Sequence, residues 1–180
     1  MTGDRELPAG DFAAWVTEMQ TAIRGERDSD VPCDGCTACC TSSQFVHIEP
    51  DETATLARIP AELLFPAPRL TRGHVIMGYD ERGHCPMLVD DTCSIYEDRP
   101  RACRIYDCRI FAATELPIDG DEKQLIAERV ARWRFTHPTQ ADRDRHDAVR
   151  AATRDLQARG ERNPTEIAVR AIETHEEFLR

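Results

Sequence analysis

Cys33-Asp34-Gly35-Cys36-Thr37-Ala38-Cys39-Cys40 is the stretch on which the reading of this chain turns. It packs four thiols into eight residues and runs on into Thr41, Ser42 and Ser43, with no large apolar side chain among them. An isolated cysteine usually behaves as a small buried hydrophobe, but this polar run has no core to fill. The two-residue gap between Cys33 and Cys36 suits a tight turn that aims both thiolates at one ion, and Gly35 supplies the backbone freedom such turns use. Cys39 and Cys40 are adjacent, so their side chains diverge in any regular backbone and one of them faces elsewhere.

Working outward, 44 residues separate this run from a second group, Cys85-x7-Cys93-x9-Cys103-x4-Cys108. Its gaps are irregular, and the eight thiols together exceed the four ligands that a single small ion takes. Pro100 fits the first turn of a helix over 101–106. If that helix continued, Cys103 and Cys108 would lie well out of register, so either it stops between them or they serve different sites. Spacing therefore supports Cys108 least among the eight candidate ligands. The thiols at Cys33, Cys36 and Cys39 are similarly spaced to the run of bacterial ferredoxins, where a cubane takes three ligands locally and another from afar. The implied cofactor is a [4Fe–4S] cluster, in preference to zinc.

Several other residues bear on such a centre. Arg99 and Arg104 would offset the net negative charge of a four-thiolate site and donate to its sulfurs; the alternative is surface pairing with Glu97, Asp98 or Asp107. His47 and Glu49 share a face if their segment is a strand, and with His74 and His84 they could make a mixed nitrogen and carboxylate site; the alternative is ordinary surface side chains. Trp15 and Trp133 read as core.

At 180 residues the chain has the length of one domain, read as an N-terminal helix within 1–29, a cysteine-bound unit over 30–115 and a helical segment over 116–180. The net charge of −10 argues against nucleic acid and against an anionic membrane surface. Residues 121–180 carry 12 basic and 12 acidic side chains, which places the acidic excess around the cysteines. No run is long and apolar enough to span a bilayer, and the opening MTGDRELPAG lacks a signal pattern. The expectation is a cytoplasmic protein, in which thiols stay reduced and metal ligation outranks disulfides. A matured fragment that had lost a signal would instead permit four disulfides.

The expected fold is α-rich α+β: a small irregular cysteine-bound unit with few short strands, flanked by amphipathic helices. Phe12, Val16, Met19 and Ile23 predict a helix over 8–24. Phe45, Val46 and Ile48 predict a short strand, 50–59 a helix, the proline-rich 60–68 an irregular stretch, and 74–79 the best strand, followed by a turn at 80–83 that delivers the chain to Cys85. Three helices close the chain. Leu125, Ile126, Val130 and Trp133 mark one, a second begins near Pro138, and the third starts with Asn163 as N-cap, Pro164 at N1 and Glu166 at N3.

CDGCTACC, then CPML, then CSIYEDRPRACRIYDC together resemble the CxxCxxCC family of zinc- or iron-chelating domains over residues 33–108. The resemblance falls on Cys33, Cys36, Cys39 and Cys40, on Cys85, and on Cys93, Ile95, Tyr96, Arg99, Pro100, Cys103 and Arg104, with Cys108 trailing. Flagellin lysine N-methylases are similar in the same cysteine module, which implies that an iron-sulfur cluster is possible here. The family implies no shared activity, and the chain is too short for the rest of a methylase. Three uses stay open: redox or electron transfer, a structural zinc interaction module, and a metal-dependent enzyme. No triad, phosphate loop or dinucleotide fingerprint selects a substrate, and no protein partner is indicated.

Overall fold

A computed structural model describes residues 5–29, 31 and 35–179; Cys33 lies outside them. The fold is α-rich α+β, with seven α-helices and seven short strands among the described residues. The chain divides into two compact units where the sequence reads as one domain. The described residues of Met1–Val31, Asp107–Asp119 and Ala127–Arg180 make a terminal unit; those of Pro32–Tyr106 and Gly120–Ile126 make a cysteine unit.

Instead of a helix from residue 8, β1 (Leu7–Asp11) runs into α1 (Phe12–Ile23). β1 pairs in parallel with β7 (Trp133–Thr136), so Trp133, expected on a helix, begins a strand. The register slips between Pro8 and Gly10, and Gly10 takes φ +91°, a left-handed value suited to glycine at a bulge. Two long helices pack on α1. α6 (Gln140–Ala158) starts from Thr139, whose side chain and that of Asp142 form a reciprocal capping box. Asp142 also accepts from Ala13 N at 2.8 Å, so one carboxylate ties the starts of α1 and α6 together. α7 (Pro164–Thr174) begins as its sequence predicts, with the Asn163 side chain accepting from Thr165 N and Glu166 N. Phe12, Trp15, Val16, Val149, Ala152, Leu156, Ile167 and Ile172 fill the core.

The cysteine unit is built on less apolar material. β2 (Val46–Ile48) and β3 (Leu64–Pro66) flank β4 (Val75–Met77) in an antiparallel sheet ordered β2-β4-β3. β3 lies in the stretch that the sequence reading leaves irregular because of its prolines; Pro66 is tolerated there because β3 is an edge strand. α2 (Thr53–Arg58) starts later than Pro50. A two-residue hairpin joins β5 (Leu88–Val89) to β6 (Thr92–Cys93) through Asp90 and Asp91, both at positive φ, the backbone of a type I′ turn. The core is Ile48, Ile59, Met77, Met87 and Ile95, and the half-buried Cys85 and Cys93 pack against it.

Candidate metal centre

Three pieces of the cysteine unit deliver thiols to one neighbourhood. The first is the segment around Cys40. Thr41 Oγ1 donates to Thr37 O at 3.0 Å and the Ser42 hydroxyl to Ala38 O, which holds a helical turn there. That turn is tied to the second cysteine group by backbone bonds: Cys85 N donates to Cys40 O at 2.7 Å, and Ser43 N to Gly83 O at 2.9 Å. The loop between the two groups is thereby closed at its ends, and Gly83, at φ +80°, makes the turn that brings Cys85 in.

The β5–β6 hairpin supplies the second piece. Cys93 sits opposite Leu88, and Ser94 N donates to Met87 O at 2.8 Å. The third is α3 (Arg101–Ile105), which carries Cys103 in its first turn. Glu52 fixes this helix to the β2–α2 corner. Its buried carboxylate accepts from Glu49 N at 2.9 Å through one oxygen and from Arg101 N at 2.5 Å through the other. The Arg101 guanidinium bonds Glu49 at 2.6 Å and Asp51 at 3.0 Å; the Arg101 bond holds the Asp51 carboxyl below the usual carboxylate range. α3 ends at Ile105 and α4 (Arg109–Thr114) starts anew, so the helix does stop between Cys103 and Cys108.

The electrostatics show which thiols are neighbours. The Cys103 thiol is pushed up to about 12, first by burial and then by the charges of Cys40, Cys85 and Cys93, with Arg99 acting the other way. The residue keeps exposed surface, but protein crowds its sulfur. Burial also raises the Cys85 thiol, with a further contribution from Cys93. Cys40, Cys85, Cys93 and Cys103 thus share one field. Low dielectric and like charge both favour protonated thiols, and a cation reverses that balance. Uptake of a metal ion would release protons, and affinity would fall as pH falls. Among the described residues, no three His, Cys, Asp or Glu side chains converge as they stand to ligate an ion. The donor chemistry, four soft thiolates with a guanidinium beside them, fits zinc or an iron-sulfur cluster.

The remaining candidates are placed differently. Cys36 is half-buried and Cys39 exposed on the segment of Cys40. Cys108 lies in the terminal unit, buried, with Trp133 Nε1 donating to its sulfur at 3.2 Å. Arg99 donates to Tyr96 O at 2.8 Å and stacks over the Tyr96 ring, and Arg104 lines a cavity of about 240 Å³ with Arg99, Arg101 and the α2 N-terminal residues. Of the histidine group, His47 and His74 meet at 3.0 Å, while Glu49 turns to Arg101. The residues that sequence reasoning missed are Glu52 and Arg101. Their charges were visible, but an acid 49 positions away from the backbone amide it caps leaves no periodic signal.

With that geometry in place, comparison with known proteins defines the class. The CxxCxxCC family, described as a proposed zinc- or iron-chelating domain, matches residues 32–130, and the chain belongs to it. No curated protein and no solved structure matches the chain.

Proposed function

We propose that the chain carries a cysteine-ligated centre held by Cys40, Cys85, Cys93 and Cys103, a [4Fe–4S] cluster in preference to zinc, with a redox or electron-transfer role. The carrying observation is that the Cys103 thiol feels Cys40, Cys85 and Cys93 at once. Soft thiolates suit either cofactor. The cluster is preferred because the sequence run that supplies Cys40 also carries, at Cys33, Cys36 and Cys39, the repeated two-residue spacing of cluster-binding segments, which makes those three candidate donors to the same or a second centre. When bound, a cluster would supply one-electron chemistry. The protein's own part is to hold the sulfurs on three rigid pieces and to place Arg99 where its charge offsets theirs. A reducing compartment such as the cytoplasm would keep such thiols available. Among the described residues no helix is long and apolar enough to cross a membrane.

Anaerobic purification with iron, sulfide and zinc analysis and an absorption spectrum tests this reading. A brown protein with iron and acid-labile sulfide is expected, and Cys85→Ser or Cys103→Ser should lose most of both. A colourless protein with stoichiometric zinc would replace the cluster by a structural zinc module. Wild-type protein that binds neither metal would sink the whole proposal.

A further inference from the structure

Outside the thiolate neighbourhood, the sheet β2-β4-β3 has a second face. His47, in β2, opposes Ile76 of β4, and Ile76 opposes Phe65 of β3. His74 precedes β4 by one residue, two positions before Ile76, so it is diagonal to His47 on the same face of the sheet. The two imidazoles use that placement. His47 Nε2 lies 3.0 Å from His74 Nδ1, the rings are within 6° of parallel, and their centroids are 5.1 Å apart. Both residues are half-buried, so solvent reaches the pair.

We propose that His47 and His74 form a metal site separate from the thiolates, taking a borderline divalent ion such as Zn²⁺. Two neutral imidazoles that face each other edge to edge can share one proton, or both can direct lone pairs at one cation. Zinc–nitrogen bonds of about 2.0–2.1 Å set nitrogens roughly 2.8–3.4 Å apart for bond angles from about 90° to the tetrahedral value. The observed 3.0 Å separation falls in that range, and an ion would replace the bridging proton once the rings turn so that their lone pairs meet beside the line joining the two nitrogens. Imidazole is a good donor for zinc and copper. The surroundings favour a cation as well. Glu49 and Asp51 share the single guanidinium of Arg101, which leaves one net negative charge, and Asp51 lies within the electrostatic reach of His74. Water would complete the coordination sphere, which gives an open and exchangeable site rather than a closed structural one.

The test uses the full chain with its thiolate centre already filled and its metal counted, so the result does not depend on which metal that centre holds. Equilibrium dialysis against micromolar free zinc, followed by metal analysis, should show one additional equivalent in the wild type. That equivalent should be lost in His47→Gln and in His74→Gln, while the metal counted beforehand is retained. No additional equivalent in the wild type, or one that survives both substitutions, would reduce the pair to a hydrogen bond. A measurement on unaltered protein guards against misfolded variants: Ni²⁺ should broaden the imidazole resonances of His47 and His74 first, and broadening that begins at His84 or His137 would overturn the assignment.

Discussion

The two units solve the problem of a small core in opposite ways. In the terminal unit, Phe12 packs against Phe135 at 5.0 Å and the His146 ring at 4.0 Å between centroids, and two helices of 19 and 11 residues lay apolar stripes on α1. It also holds a buried polar cluster: Asp107, 2% exposed, accepts from Trp15 Nε1 at 3.0 Å and pairs with Arg109 at 2.6 Å. The core cluster of the cysteine unit has, among the described residues, five buried side chains, none of them aromatic, filled out by the half-buried Cys85 and Cys93. Phe45, Phe65, Leu70, Tyr79, Val89 and Tyr96 face solvent instead. On the proposed reading, the difference teaches where the folding free energy of each unit comes from: apolar burial in one, bonds from sulfur to metal in the other.

Removing the metal is the largest perturbation that this contrast predicts. Structural zinc contributes about 10–16 kcal/mol in small cysteine domains, as much as five buried apolar side chains supply at roughly 1.5–3 kcal/mol each. Chelation should therefore open the segment 35–106 to proteases while α1, α6 and α7 stay protected. Hydrogen exchange with mass spectrometry reads both regions in one experiment. Equal loss of protection in the two units would break the comparison, and an unchanged cysteine unit after verified metal removal would contradict it outright.

Acid should weaken the terminal unit as well, through a group of its own. His146 is 7% exposed; its Nε2 donates to Ala113 O at 3.2 Å and its Nδ1 accepts from His137 Nε2 at 2.7 Å. Burial first, then Arg150 and His137, push its pKa down to about 4, while Ala113 O and Asp147 act against the shift. The folded value lies below the unfolded one near 6.5, so the unfolded chain binds the proton more readily. This contribution is complete above about pH 6.5 and is lost as pH falls through 4. The difference between the two values corresponds to on the order of 3 kcal/mol at full protonation. Thermal melts of the terminal unit between pH 7 and 4 should fall accordingly, and His146→Phe, which keeps the stack on Phe12, should flatten the slope. A slope unchanged by that substitution would move the acid sensitivity to another group.

Much of this contrast was legible in the sequence, for reasons that differ by element. Asn163-Pro164-x-Glu166 predicted the start of α7 because capping is chemistry local to four residues. The strand at 74–79 and the turn before Cys85 were legible for the same reason. β1 and β7 were not, because a parallel pair between residues 7–11 and 133–136 leaves no short-range trace, and Phe12 to Ile23 carried the helical pattern backward past its true start. The cysteine list was legible as a list. Its partition was not: adjacent thiols such as Cys39 and Cys40 are equal in sequence, and it is the backbone bond from Cys85 N to Cys40 O, with the charge of Cys40 acting on Cys103, that marks Cys40 as a neighbour of the second group.

Cys108 gives the smallest effect and the sharpest test of the partition. By spacing it trails the second cysteine group, yet it forms the N-cap of α4 in the terminal unit and accepts a hydrogen bond from Trp133. If it belongs to that core, Cys108→Ala removes a buried acceptor and leaves the indole N–H to find another partner, at a cost of about 1–2 kcal/mol. The loss should appear in the melting of the terminal unit and in the fluorescence of Trp133, with iron or zinc content unchanged. Cys108→Ser should recover part of the stability, because a hydroxyl can accept from the indole, although its shorter bonds to carbon leave the contact longer. A ligand would behave otherwise: both substitutions would lower metal content, and serine would rescue nothing in the terminal unit. Metal lost in Cys108→Ser while the melt of that unit stays fixed would return Cys108 to the centre.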